Sequence, residues 1–113
     1  MTTRSRRSSG RPLGIDWTIR ARDDLRAIGD YIARDNPVAA DRWVSKLVTA
    51  VERTSAMPFS GRVVPEFGKE DIREVLLGRY RIVYRVGEKG IVVLTVFEGH
   101  KLFPGAEGGD RGH

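Results

Sequence analysis

The chain has 113 residues, 40% of them hydrophobic, and it contains no cysteine. This length and apolar content suit one domain with a single core, and the lack of cysteine excludes disulfide scaffolds, thiolate zinc sites and cysteine nucleophiles. The formal net charge of +5 at pH 7 invites a nucleic-acid partner, but four of the positive charges lie in residues 1–13, so the charge indicates little about the domain itself.

The two ends of the chain differ from its middle in composition. Residues 1–13 are typical of a disordered basic tail, and the less favoured alternative is an arm that binds polyanions in a salt-dependent way. Its arginines are Arg4, Arg6, Arg7 and Arg11. The glycine-rich residues 105–113 indicate a second flexible tail, so we expect the domain to span residues 14–104. No apolar run is long enough for a secretion signal or a membrane span, which predicts a cytoplasmic protein.

A short strand and two helices are predicted first. Ile15, Trp17 and Ile19 alternate with polar residues, as in a strand that leads to a helix start near Thr18. Apolar residues then recur at spacings of three and four on one face of a helix that ends near Asp35: Ala21, Leu25, Ile28 and Ile32. Asn36-Pro37 suits a tight corner before a second helix, whose stripe comprises Ala40, Trp43, Leu47, Ala50, Val51 and Thr54. This hairpin should cover an apolar surface.

A sheet is predicted to supply that surface. Strand-like runs extend over residues 72–77, 80–86 and 91–97, and turns of hairpin length separate them. A turn at residues 58–61 and a polar loop at residues 66–71 precede these runs. The expected fold is therefore α+β in the order β-α-α-β-β-β, with a helix hairpin packed on a mainly antiparallel sheet.

The run from Arg79 to Val86 alternates arginine with large apolar residues. Tyr80, Ile82 and Tyr84 should face the helices, because successive side chains of a strand point to opposite faces. Four arginines should then line the open face of the sheet: Arg73, Arg79, Arg81 and Arg85. The arginine fork suits phosphate and carboxylate equally well, so the partner could be RNA, DNA or an acidic protein segment. Ordinary polar positions on a half-exposed sheet fit the same pattern.

A titratable group follows the last strand. His100 and Lys101 come directly after Gly99, and together with Arg81 they could supply a general acid and a charge stabiliser for phosphodiester cleavage. The same residues also fit a solvated strand end. The only two histidines, at positions 100 and 113, do not make a metal constellation, and the chain has no GxxxxGK[ST] phosphate loop. We therefore expect neither a metal nor a cofactor.

Taken in order, these features resemble the RelE/ParE family of bacterial toxins over residues 15–104. The matching residues are Trp17, Asp24-Leu25, Ile28, Tyr31-Ile32, Asn36-Pro37, Ala39-Ala40, Pro58, Gly61-Arg62, Arg73-Glu74 and the run Tyr80-Arg81-Ile82-Val83-Tyr84-Arg85-Val86. The resemblance implies the growth-inhibiting toxin of a type II toxin–antitoxin system, neutralised by a cognate antitoxin protein.

The resemblance also implies two alternative targets. RelE-like members cut messenger RNA at the ribosome, whereas ParE-like members poison DNA gyrase without being nucleases. Arg81 matches the family arginine that helps RelE-like enzymes to hold the scissile phosphate. RelE-like enzymes usually add a lysine cluster after the helices, but here residues 62–71 contain only Lys69. We therefore favour DNA gyrase as the target. The alternatives are a ribosome-dependent endoribonuclease with Arg81, His100 and Lys101 as catalytic candidates, and a non-toxic binding or regulatory relative.

Overall fold

The computed structural model describes residues 14–99, which form two α-helices, five strands and one short 3-10 helix. In chain order these elements are β1 (Gly14–Trp17), α1 (Ile19–Ala33), α2 (Pro37–Ala56), the 3-10 helix (Pro58–Ser60), β2 (Arg62–Val63), β3 (Ile72–Leu77), β4 (Tyr80–Gly87) and β5 (Gly90–Glu98). Within this part of the chain, no helix is long and apolar enough to cross a membrane. The two predicted tails and residues 100–104 lie outside the described residues.

Both helices begin at the predicted residues, and polar side chains cap them. Thr18 accepts a hydrogen bond from the backbone N–H of Ala21 at 3.0 Å, and Asn36 accepts one from Ala39 at 3.0 Å. These side-chain oxygens satisfy N–H groups that the first helical turn leaves without a partner. Ile19, which the alternation pattern assigned to the strand, is the first residue of α1 and is largely exposed.

The five strands form one sheet in the order β1-β5-β4-β3-β2. β1 pairs with β5 in parallel and the other three pairings are antiparallel, so the predicted α+β class and mainly antiparallel sheet are confirmed. The pairing of β4 with β5 shifts register between Val83 and Tyr84, which face Thr95 and Val93. This irregularity is a bulge in β5 and was not predicted.

The main core lies between the helices and one face of the sheet. Its buried residues are Ala21, Leu47, Val51, Tyr80, Ile82, Tyr84, Ile91, Val93 and Val96. Trp17 and Trp43 pack against this cluster, and the Trp43 ring meets the Tyr80 ring edge-on with centroids 5.5 Å apart. The predicted helix stripes and the helix-facing side of β4 therefore meet in one apolar layer.

The opposite face of the sheet is not open. A second buried cluster of Val64, Ile72 and Val83 lies there, and Leu94 and Phe97 pack against it. Val64 follows β2 directly and is fully buried. The segment after β2 thus folds back onto the face that was expected to carry exposed arginines.

Candidate functional site

Arg81 and Glu74 form a buried ion pair on adjacent strands. The side chain of Arg81 is 10% exposed and that of Glu74 is 0% exposed. Nε of Arg81 donates a hydrogen bond to Oε1 of Glu74 at 2.7 Å, and Nη2 of Arg81 contacts the same oxygen. The expectation that Arg81 lines an open face is therefore wrong, because its charged end is already bound to a carboxylate.

Two further residues complete this cluster, which we call the Arg81 network and define as Arg62, Glu66, Glu74 and Arg81. Nε of Arg62 donates to the second oxygen of Glu74. Nη1 and Nη2 of Arg81 reach the two oxygens of Glu66 at 3.4 and 3.3 Å. The guanidinium also lies 5.0 Å from the centre of the Phe97 ring. Each of the three guanidinium nitrogens of Arg81 therefore has a carboxylate partner within the protein.

The protonation behaviour of the Arg81 network agrees with this pairing. Burial by itself would raise the pKa of Glu66, but the hydrogen bonds from Arg81 and the nearby positive charges outweigh it, and the pKa is lowered. Burial would lower the pKa of Arg81, yet the hydrogen bonds that it donates to Glu66 and Glu74 raise the pKa instead. Both groups are therefore held in their charged forms.

Arg73 is also occupied rather than open. Its side chain is 13% exposed and pairs with Glu70 at 3.0 Å. Its guanidinium also donates to the backbone carbonyls of Gly61 and Glu70, at 3.0 and 2.7 Å. The expectation of an exposed Arg73 is wrong, since this side chain ties the loop before β3 to the turn before β2.

The other two arginines of the predicted face are exposed. Arg79 lies in the turn before β4 with a side chain that is 64% exposed, and its Nη1 is 3.4 Å from Oε2 of Glu98. Arg85 is exposed in β4, opposite Ile72 of β3. The four predicted arginines therefore do not form one binding surface, because two of them hold the fold together and two lie at the surface.

The turn between α2 and β2 is built around Tyr84. Its hydroxyl donates to the carbonyl of Pro58 at 2.5 Å and accepts from the N–H of Gly61 at 3.2 Å. A Cβ atom at Gly61 would lie 2.5 Å from the Tyr84 oxygen and 2.6 Å from the carbonyl oxygen of Glu74, so only glycine fits. Burial raises the pKa of Tyr84, against smaller opposing effects of Gly61 and Arg73. The same turn thereby brings Arg62 to Glu74.

The chain leaves β5 beside Arg81. Gly99 donates a backbone hydrogen bond to the carbonyl of Arg79 at 2.5 Å, and a Cβ at Gly99 would lie 3.2 Å from Cγ of Arg81. His100 and Lys101, the other two catalytic candidates, lie outside the described residues. Among residues 14–99, no three His, Asp or Glu side chains are grouped so that they could hold a metal ion.

Sequence reasoning missed the residues that neutralise Arg81. Glu66 was assigned to a polar loop, and Glu74 was named only among the residues that match the toxin family. The pairing of Glu74 could have been predicted, because it shares a strand face with Ile72 and a charge at such a position needs a partner. The pairing of Glu66 could not, since its contact with Arg81 depends on how the loop folds back.

Comparison with known proteins agrees with this architecture. The family model described as ParE toxin of type II toxin–antitoxin systems matches residues 15–103. Y4kP of Sinorhizobium fredii, which is named as a candidate toxin, is 39% identical over 80% of this chain and 92% of its own length. Toxin RelE2 of Caulobacter vibrioides is 33% identical over 78% of this chain and 97% of that protein.

Solved structures show the same fold. A structure of the chromosomal ParDE system from P. aeruginosa matches with a TM-score of 0.65 and 25% identity over 79% of this chain and 98% of the other. A chain of the RelBE2 toxin–antitoxin complex from Mycobacterium tuberculosis matches in fold, with a TM-score of 0.52 and 20% identity over 77% and 98% of the two chains. Two helices on this five-stranded sheet define a RelE/ParE-type toxin. The chain belongs to the ParE toxin family of type II toxin–antitoxin systems.

Proposed function

We propose that this toxin arrests growth by binding DNA gyrase in the cytoplasm, and that a cognate antitoxin neutralises it. The observation that supports this target most strongly is the pairing of Arg81 with both Glu74 and Glu66. A scissile phosphate at Arg81 would have to displace the buried carboxylate of Glu74 and the partly exposed carboxylate of Glu66. It would also approach their negative charges, which repel it.

The antitoxin part of the proposal rests on the relatives. The family model describes toxins of the parDE type, and the matching structures come from a ParDE system and a RelBE2 complex. A cognate antitoxin would have exposed apolar side chains to cover. Met57 and Leu76, which are 67% and 53% exposed, both line a groove between α2 and β3.

The second candidate is a ribosome-dependent endoribonuclease. Two observations favour it. The chain is 33% identical to a relative named RelE2. Gly99 also lies close to Arg81, and His100 is the next residue in the chain. In this alternative Arg81 contacts the phosphate, and His100 or Lys101 transfers a proton or stabilises charge. Binding of RNA would then have to break the contacts of Arg81 with Glu66, which are the longer of its ion-pair contacts.

Expression in growing bacteria separates the two candidates. We expect the wild-type toxin to arrest growth with a DNA-damage response and without new 5′ ends in ribosome-bound transcripts. The double variant His100→Ala/Lys101→Ala should be equally toxic, because growth arrest through gyrase binding needs no phosphodiester cleavage by these residues. Co-expression of the antitoxin from a neighbouring reading frame should restore growth in both cases. Transcripts cut by the wild type but left intact by the double variant would replace gyrase with the ribosome as the target.

A further inference from the structure

The outer face of α2 carries a row of cations to which the proposed gyrase binding gives no role, and Arg53 at its end also lines the groove that holds Met57 and Leu76. We call it the α2 basic stripe and define it as Arg42, Lys46 and Arg53. Their spacings of four and seven residues correspond to about one and two helical turns, so the three side chains lie on one side of the helix. All three residues are exposed. None of them has an ion-pair partner within residues 14–99, where five other arginines do: Arg20, Arg62, Arg73, Arg79 and Arg81.

The stripe is not simply a consequence of a basic domain. Residues 14–99 contain 14 Lys and Arg residues against 13 Asp and Glu residues, so this part of the chain is almost neutral. The acidic residues of α2 are Asp41 and Glu52, and each adjoins a stripe arginine in sequence. One residue corresponds to about 100° around an α-helix, so both carboxylates lie well to one side of the stripe. The helix therefore separates its charges.

A shallow groove runs along the stripe between α2 and the end of β3. Its lining comprises Arg42, Ser45, Lys46, Thr49, Ala50, Arg53 and Leu77. Ser45 and Thr49 add hydroxyl groups between the cations, and both are exposed. Ala50 and Leu77 are the apolar residues of this lining, and the aliphatic stems of the arginine and lysine side chains add to its apolar surface. A protein interface would need a larger apolar centre to contribute affinity, whereas cations and hydroxyls are the usual donors to phosphate oxygens.

We propose that the α2 basic stripe binds the sugar–phosphate backbone of duplex DNA without reading its sequence. Arg42 and Arg53 are separated by about 16 Å along the helix axis, at about 1.5 Å per residue. Duplex DNA presents a negative charge about every 1.7 Å of its axis, so a helix lying against the backbone meets several phosphates over that length. This DNA binding goes beyond the proposed gyrase binding and can be measured without gyrase. A negative result for DNA binding would therefore not contradict the gyrase proposal, and the reverse also holds.

The test is the affinity of the purified full-length chain for a short labelled duplex of mixed sequence, between about 50 and 200 mM salt. The variant Arg42→Gln/Lys46→Gln/Arg53→Gln removes the stripe and keeps good helix formers at all three positions. We expect the slope of log affinity against log salt to become shallower by about 2 to 3 units, which corresponds to three lost phosphate contacts. Circular dichroism and thermal melting should show both proteins equally folded.

The matched control is Arg22→Gln/Arg26→Gln/Arg34→Gln, which removes three exposed arginines elsewhere on the domain. We expect this control to bind DNA with the wild-type slope. An equal loss in both triple variants would overturn the proposal, because it would show an effect of total charge. Unchanged DNA binding by the stripe variant would also overturn the proposal. The arginines of residues 1–13 would then be the candidates for the contact with DNA. Equally tight, stripe-dependent binding of polyglutamate would replace DNA by an acidic protein segment.

Discussion

Arg81 of β4 and Glu74 of β3 are both buried and form an ion pair, with Nε of the arginine 2.7 Å from Oε1 of the glutamate. The strand pattern assigned Arg81 to an open surface, but the ion pair with Glu74 shows that its charged end is bound inside the protein. Buried charges persist only when they are paired and hydrogen-bonded, and the contacts with Arg62 and Glu66 complete that requirement. The family arginine in this chain therefore has carboxylate partners within the protein, and this pairing does not depend on any bound nucleic acid.

Removing Arg81 should destabilise the fold. Arg81→Met leaves the buried carboxylate of Glu74 with Arg62 as its remaining partner, and breaking a buried pair in this way costs about 3–5 kcal/mol. Urea unfolding followed by circular dichroism measures the loss. The double variant Arg81→Met/Glu74→Met removes both charges and should be more stable than Arg81→Met. A single variant that unfolds like the wild type would mean that Arg81 is free to bind a ligand.

Acid should weaken the Arg81 network through Glu66. Its pKa is lowered in the folded protein below the ordinary value of 4.5, so the unfolded chain binds its proton first. The stability that this group contributes is present above pH 4.5 and is lost as the pH falls through the folded-state pKa. Glu66→Gln should make the acid limb of a stability–pH curve shallower, whereas Glu88→Gln, at an exposed turn, should not. Identical curves for the two variants would contradict this contribution.

The close approach of Gly61 to Tyr84 gives a steric prediction. An alanine methyl at position 61 would meet the Tyr84 oxygen at 2.5 Å and the Glu74 carbonyl at 2.6 Å. We expect Gly61→Ala to cost about 1–3 kcal/mol, since such overpacking moves the backbone. Gly87→Ala is the control, because a methyl there meets its nearest atom at 3.5 Å. Thermal unfolding of both variants is the measurement, and equal melting temperatures would show that the turn adapts without cost.

Asp24 should matter for its oxygen rather than its charge. Its Oδ2 accepts hydrogen bonds from the hydroxyl of Thr95 at 2.5 Å and the N–H of Val96 at 3.1 Å, beside the bulge in β5. Asp24→Asn can offer an amide oxygen to both donors and should change stability little. Asp24→Ala leaves both donors unsatisfied and should cost about 1–3 kcal/mol in denaturant unfolding. Equal losses in the two variants would mean that the charge is what matters.

The sequence predicted the elements that depend on local pattern. The helix start near Thr18, the corner at Asn36-Pro37, the helix stripes and the helix-facing side of β4 all follow from patterns within a few residues, and the structure confirms them. The parallel pairing of β1 with β5 joins strands more than 70 residues apart, such as Ile15 with Ile91. The hydrophobic periodicity of a strand does not show which distant strand it pairs with, so this part of the topology was not predicted.

The error in the candidate site has a similar cause. Alternation in β4 correctly separated the tyrosines from the arginines, but it could not show whether the second face meets water or protein. Val64 and Glu66 decide that question, and their position depends on the path of the chain after β2. A buried carboxylate on the neighbouring strand, Glu74, then pairs with Arg81, which the alternation pattern had placed on an open face.

The most direct test of gyrase as the target is a supercoiling and cleavage-complex assay with purified gyrase, relaxed plasmid and the folded toxin. We expect loss of supercoiling or accumulation of cleaved plasmid, which the cognate antitoxin relieves and which His100→Ala/Lys101→Ala retains. Normal supercoiling in the presence of excess folded toxin, together with cleavage of ribosome-bound messenger RNA by the same preparation, would contradict the gyrase proposal.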